Sequence, residues 1–138
     1  TALFFRDINI MLPYGWGVQN GLIYIERNHL LMKEAIEQVI AHARENYYGE
    51  TPFSVTGPGM LRRILARHGE NENILYGDRL ALTPLHPNKN IAYVLPRGEI
   101  IARAKQQGNG GDLTPYGAKG TNNYMTLWKT RDIYEAAV

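Results

Sequence analysis

The fold of this chain is organised around one stretch, Thr51-Pro-Phe-Ser-Val-Thr-Gly-Pro-Gly-Met-Leu-Arg-Arg-Ile-Leu65. It predicts a turn, a short buried run and a tight loop, Gly57-Pro58-Gly59, from which a helix begins. The first N–H groups of a helix lack partners within it, and its dipole makes that end positive. Because two glycines let a ligand approach this backbone, the loop suits a phosphate or a sugar hydroxyl. Thr and Pro are also ordinary residues at helix starts, so a purely structural role is the alternative.

Hydrophobic spacing on both sides of this stretch predicts an α/β fold, a mixed sheet flanked by helices, in a single domain over 1–138. Residues 1–16 are broken by Asp7 and by Gly and Pro, which predicts a leading segment and a loop. Their abrupt apolar start gives the expectation that the native chain extends upstream. Strands are predicted at 18–26, 74–76 and 80–83, with a hairpin of 91–95 and 99–104. Helices are predicted at 29–48, 58–68 and 123–134, and a mobile glycine-rich loop at 106–122.

The longest predicted helix, 29–48, has Asn28 as its N-cap and an apolar stripe at three-and-four spacing. We expect that stripe to pack on the sheet; it comprises Met32, Ala35, Ile36, Val39, Ile40, Ala43 and Tyr47. His42 falls on the polar side, so we expect it to be exposed. The second helix is expected to face inward with Met60, Leu61, Ile64 and Leu65.

Composition excludes several classes of protein. A net charge of +2, with 44% hydrophobic and 20% charged residues, is ordinary for a globular protein and gives no basic surface for nucleic acid. With no cysteine, the chain has no disulfide, thiolate nucleophile or cysteine zinc site. No apolar run approaches the roughly 20 residues that span a bilayer. We expect a cytoplasmic protein, with peripheral association at the inner face of the membrane and homo-oligomerisation as open alternatives.

No motif assigns catalytic residues: the chain lacks a defensible Ser-His-Asp order, a helical His-x-x-x-His pair and a Walker loop. Among the four histidines, His86 alone is kept as a remote ligand candidate. Nine tyrosines favour, weakly, a carbohydrate-binding or interface surface.

Four features carry a family resemblance: Asn20-Gly21 in a strand, a helix ending at Tyr47-Tyr48-Gly49, the loop Thr56-Gly57-Pro58-Gly59 and the segment around Trp128. Together they resemble the C-terminal half of the GT-A-fold glycosyltransferases that carry an Asp-x-Asp sugar-binding motif, family 32, which includes mannosyltransferases and capsular polysaccharide transferases. The resemblance covers 19–134. It implies transfer of a sugar from a nucleotide-sugar donor to a glycan or other acceptor in polysaccharide or glycoconjugate synthesis.

The resemblance also implies site residues. The donor pocket would be lined by Asn20, Gly21, Thr56, Gly57, Pro58, Gly59 and Trp128. A Mn²⁺ or Mg²⁺ ion would lie at the diphosphate with Asn123 and Thr126 as ligands, since amide and hydroxyl oxygens suit hard cations. The glycine-rich segment 106–122 would close over the nucleotide. The structural alternative is a helix cap at Asn123, a solvent-facing Thr126 and a core Trp128.

One departure from the family is large. The chain has no Asp-x-Asp, because Asp7-Ile8-Asn9 lacks the second acid. We therefore expect the 138-residue chain to be a poor enzyme by itself. A hypothesis from another class is a non-catalytic binding or assembly module derived from the same fold, homo-oligomeric through an incomplete sheet edge. An Asp-x-Asp upstream of Thr1 would favour the enzyme.

Overall fold

The computed structural model describes residues 1–13, 15–69, 71–83, 90–104 and 123–134. The strands are β1 (Ala2–Leu12), β2 (Gly15–Ile25), β3 (Ile74–Ala81), β4 (Ile91–Val94) and β5 (Ile100–Arg103), and the helices are α1 (Leu30–Arg44), α2 (Pro58–His68) and α3 (Tyr124–Thr130). The sheet order is β2-β1-β3-β4-β5, in which β1 and β3 are parallel and the other neighbours antiparallel. The predicted mixed sheet flanked by helices is confirmed.

Strand β1 lies where the sequence predicted a leading segment and a loop, so that prediction was wrong. The strand is internal to the sheet, between β2 and β3. Phe4 joins the core beneath the helices, and Phe5 packs edge-on against Tyr93 with the ring centroids 5.1 Å apart. A strand buried on both faces lacks the alternation that marks a half-exposed one. Asp7, which looked like a break, is buried and paired with Arg79.

Strand β3 is continuous, although the sequence predicted two strands at 74–76 and 80–83. The intervening residues Asp78 and Arg79 pair in register with both β1 and β4. Gly77 permits this close packing, because a Cβ there would lie 2.4 Å from the Val94 carbonyl oxygen and 2.6 Å from the Phe5 ring. The residues between the two predicted strands are therefore a closely packed part of one continuous strand.

The hairpin of β4 and β5 is confirmed. The Gly98 N–H donates to the Leu95 carbonyl at 2.8 Å, and Gly98 has a φ of 93°. A positive φ is the conformation that glycine adopts without strain. The local turn signal was sufficient to predict this element.

The main core lies between one face of the sheet and the first two helices. It consists of Ala2, Phe4, Val18, Leu31, Ala35, Met60, Leu61, Ile64, Leu65 and Ile74. The predicted inward face of α2 is thus confirmed, and α2 ends at Gly69 as expected. Burial of this apolar face holds in place a helix of only 11 residues, which would be marginal by itself.

Helix α1 is shorter than the predicted 29–48 and buries only part of the predicted stripe, since Ala35 and Val39 pack in or against the core. Its N-cap is His29, whose Nδ1 accepts from the Leu31 N–H at 3.3 Å, so the assignment of Asn28 was wrong. Leu31 is buried in the core, whereas Ile36 and Ile40 are 54% and 45% exposed. Helix α1 packs beside α2 as well as on the sheet. The face that these contacts bury is therefore not centred on Ile36 and Ile40, the large apolar residues of the predicted stripe.

His42 is buried, contrary to the predicted exposure. Its Nδ1 lies 2.6 Å from the Val55 carbonyl oxygen, and its ring stacks on Tyr47 with the centroids 4.1 Å apart. A buried imidazole is tolerated when its polar atom has a partner. The contact ties α1 to the loop that precedes α2.

The predicted loop 106–122 and His86 lie outside the described residues, as do residues 84–89 of the proline-containing segment. In the described part of the chain, no helix is both long enough and apolar enough to cross a membrane.

Candidate functional site

A cleft of about 250 Å³ lies between β2, the segment leading into α2, and α3. Its lining comprises Ile10, Gln19, Asn20, Pro52, Val55, Thr56, Gly57, Pro58, Tyr124, Leu127 and Ile133. All of these side chains are uncharged. Apolar walls with a few amide and hydroxyl groups suit a neutral ligand that carries hydroxyls.

A bulge in β2 forms one side of the cleft. Phe5 pairs with Gln19 and Leu3 with Tyr24, so a single β1 residue lies opposite the four β2 residues 20–23. Gly21 lies within this bulge. A Cβ on Gly21 would lie 3.4 Å from the Gln19 Oε1 and 3.4 Å from the Tyr93 hydroxyl. The extra residues give the strand a local irregularity at the cleft.

Gln19 fastens this bulge to the interior of the sheet. Its Oε1 accepts from the Gly21 N–H at 3.1 Å, and its Nε2 donates to the Asp7 Oδ2 at 3.1 Å. The same Asp7 oxygen accepts from the Arg79 Nη1 at 3.0 Å. A connected polar network that is anchored on the buried Asp7 rigidifies the groups that it joins. The shape of the bulge beside Asn20 is therefore fixed from within the sheet.

The start of α2 forms the opposite side. A Cβ on Gly57 would lie 4.0 Å from the Asn20 Nδ2, so the bulge and the loop face each other closely. The Phe53 carbonyl accepts from the N–H groups of Gly59 and Met60, at 2.9 and 3.3 Å. The expectation that the N–H groups of this first turn are unpaired was therefore wrong for these two. The exposed side chains of Asn20 and Thr56 are polar groups available at the cleft.

Helix α3 forms the third side through Tyr124 and Leu127. Tyr124 lies against Phe53, with the ring centroids 5.9 Å apart. Trp128, predicted to contact the donor, does not line the cleft. Its indole N–H donates to the Tyr48 carbonyl at 2.7 Å, so its polar atom docks the helix.

The two predicted metal ligands, Asn123 and Thr126, lie at the N-terminus of α3. The Asn123 Oδ1 caps α3 by accepting from the N–H groups of Met125 and Thr126, at 3.0 and 3.4 Å. Thr126 is exposed on the helix surface. Among the described residues there is no cluster of three or more His, Cys, Asp or Glu side chains able to hold a metal.

The cleft brings together four of the predicted donor-pocket residues, Asn20, Thr56, Gly57 and Pro58. Gly21 adjoins it within the bulge, and Gly59 is buried in the first turn of α2. Comparison with protein-family models, curated proteins and solved structures found no match to this chain. The interpretation of the cleft therefore depends on its own residues.

Proposed function

We propose that the chain is a glycosyltransferase-like protein whose cleft holds the sugar of a nucleotide-sugar donor, for transfer to a glycan or other acceptor. The observation that supports this most is the convergence of Asn20 and Thr56 on one uncharged cleft with apolar walls. An amide and a hydroxyl both donate and accept, so together they match the mixed hydrogen-bonding groups of a sugar.

Each side of the cleft has a separate task in this proposal. Asn20 and Thr56 orient the sugar by hydrogen bonds, and Val55 and Leu127 pack against its carbon skeleton while limiting access of water. Gln19 acts as a positioning residue, because it connects the Asn20 bulge to the buried Asp7. A requirement for Mn²⁺ or Mg²⁺ stays a prediction of the family resemblance.

The proposal is tested by binding and by turnover. UDP-glucose, GDP-mannose and the matching methyl glycosides would be titrated by calorimetry, then each nucleotide sugar would be assayed for hydrolysis with Mn²⁺ added. We expect saturable binding of at least one pair, competition within that pair, and slow turnover. Asn20→Ala and Thr56→Ala should each weaken binding about 3- to 10-fold, the effect of one lost hydrogen bond.

Asn73→Ala is the control, because Asn73 is an exposed polar residue outside the cleft. It should leave the affinity unchanged. Absence of saturable binding, or an equal loss in Asn73→Ala, would count against the cleft as the sugar site.

A non-catalytic assembly module is the second candidate, and exposed apolar side chains favour it. Ile36 and Ile40 are exposed on α1, while Ile100 and Ile101 are 50% and 49% exposed on β5, an edge strand of the described sheet. Exposed apolar groups of this kind favour association. Sedimentation that depends on protein concentration, without any sugar binding, would select this candidate.

A further inference from the structure

A second cleft, of about 430 Å³, lies along the flank of α2 that faces away from α1. It is lined by Trp16, Arg62, Leu65, Ala66, Gly69 and Tyr76. The opposite flank of α2 meets α1 through the contact of His68 with Glu34, and the segment after α1 through the hydrogen bond from Arg63 to the Tyr47 hydroxyl. The two clefts share no lining residue and differ in charge, because this one includes a guanidinium.

Arg62 is held in this cleft by stacking rather than by an ion pair. Its guanidinium carbon lies 4.5 Å from the centroid of the Trp16 ring. Its Nε is buried and has no hydrogen-bond partner, and no carboxylate pairs with Arg62 in the described part of the chain. Arg6 lies 6.0 Å from the same ring, but both carboxylate oxygens of Asp78 accept from it at 2.8 Å. Arg62 therefore contributes a positive charge that the Arg6–Asp78 pair does not neutralise.

Tyr76 completes an aromatic wall beside this charge. Its ring meets Trp16 edge-on, with the centroids 5.5 Å apart. Burial raises the pKa of the Tyr76 hydroxyl, and the charge of Arg62 opposes this only in part. The hydroxyl is therefore protonated at neutral pH and able to donate a hydrogen bond. Leu65 and Ala66 give the remaining wall an apolar surface.

We propose that this cleft binds a monosaccharide bearing an anionic group, a carboxylate or a phosphate. Arg62 pairs with the anion, because a planar guanidinium matches the oxygens of either group through two parallel hydrogen bonds. Stacking on Trp16 fixes the guanidinium in advance, so less side-chain entropy is lost on binding. The ring of the sugar packs against the aromatic and apolar walls while its hydroxyls reach Tyr76. The volume lies in the range of small-molecule sites.

Fluorescence of Trp16 reports on this site directly. The chain has two tryptophans, so Trp128→Phe leaves Trp16 as the single indole. The probes are methyl β-glucuronide, glucose 6-phosphate, uncharged methyl β-glucoside and inorganic phosphate. We expect at least one anionic sugar to change the emission saturably and to bind at least tenfold more tightly than methyl β-glucoside and inorganic phosphate. The tighter anionic sugar identifies the group as carboxylate or phosphate.

Variants assign the effect to residues. Arg62→Met keeps an apolar stem over Trp16 and removes the charge, so affinity should fall at least tenfold; Tyr76→Phe should lose about 3- to 10-fold. Arg67→Met is the control, because Arg67 lies on the α1 side of the same helix and donates to Gln38 at 3.4 Å. Its affinity should be unchanged. Thermal midpoints would show that each variant is folded.

Three results would overturn the inference, and the first two are equal affinity of the neutral and anionic sugars for the otherwise unaltered chain and unchanged affinity in Arg62→Met. The first comparison needs no Arg62 variant, so it decides even if Arg62→Met does not fold. Binding of inorganic phosphate as tightly as glucose 6-phosphate would exclude a role for the sugar ring. The experiment contains no nucleotide and no residue of the first cleft is altered, so its outcome is independent of the proposed transferase function.

Discussion

Two ion pairs join the same two parallel strands and differ in burial and in geometry, because Arg6 bonds to both oxygens of Asp78 whereas Arg79 bonds to one oxygen of Asp7. Arg6 pairs with Asp78 and Asp7 with Arg79, at adjacent register positions of β1 and β3. Successive side chains of a strand point to opposite faces, so the pairs lie on opposite sides of the sheet. The side chains of Asp7 and Arg79 are 2% and 18% exposed, against 34% and 40% for Asp78 and Arg6. The two pairs can therefore be compared within one sheet.

Asp7→Asn preserves the shape of the side chain but leaves Arg79 as an uncompensated charge. Removal of one partner from a buried pair costs about 3–5 kcal/mol, and the partial exposure of Arg79 places the expected loss near the lower end, about 3 kcal/mol. The Arg79 Nε already lacks a hydrogen-bond partner among the described residues, so no second acceptor is in place. Asp78→Asn removes a half-exposed partner and should cost about 0–1 kcal/mol.

Urea unfolding measures both losses from the shift in midpoint at a constant slope. A loss of about 3 kcal/mol in a chain of this size lowers the thermal midpoint by roughly 10 °C. The double variant Asp7→Asn with Arg79→Met should recover part of the loss, because it leaves no buried charge. Losses for Asp7→Asn and Asp78→Asn that agree within about 0.5 kcal/mol would refute the argument from burial.

Three further predictions concern packing and titration. Leu31→Ala should lower the free energy of unfolding by about 2–5 kcal/mol because Leu31 is buried in the core. Ile36→Ala should lower it by under about 1 kcal/mol because Ile36 is 54% exposed. Equal urea midpoints for the two variants would contradict the observed orientation of α1, with Leu31 buried and Ile36 exposed. Trp128→Phe removes the donor to the Tyr48 carbonyl and should lower stability by about 1 kcal/mol in urea unfolding, without weakening sugar binding in the first cleft. Burial raises the pKa of Tyr76 above its usual value of 10.0. The protonated Tyr76 therefore stabilises the fold fully below pH 10.0, and this stabilisation is lost as the pH rises through the folded-state pKa. In alkaline denaturation, Tyr76→Phe should lack the part of the pH dependence that comes from this group.

The elements predicted correctly are those with local signals. Pro58 and Gly69 bound α2, and Gly98 provides the positive φ of the hairpin. Strand β1 was missed because its evidence is distant in sequence: Asp7 is stabilised by Arg79, 72 residues away. The buried face of α1 was likewise misjudged, since the position of α2 rather than the apolar periodicity of the helix decides which residues are covered.

Part of the lining of the candidate cleft was predicted from the sequence, and the part that depends on packing was not. Asn20 and Thr56, which the family resemblance implied, line the cleft, whereas Gln19 and Tyr124 have no local feature that distinguishes them. Trp128 was placed in the donor pocket by the family resemblance, but its N–H donates to a carbonyl 80 residues away. No residue spacing indicates such a partner.

The most direct test of the central claim is whether both sides of the first cleft respond to one sugar. Two-dimensional ¹H–¹⁵N NMR spectra would be recorded while the methyl glycosides and their nucleotide sugars are added. We predict that the Asn20 side-chain amide and the Gly57 backbone N–H shift together, with a single Kd, while the side-chain amide of Asn73 does not move. Unchanged signals from Asn20 and Gly57 at saturating sugar, or shifts with different Kd values, would contradict a shared sugar site.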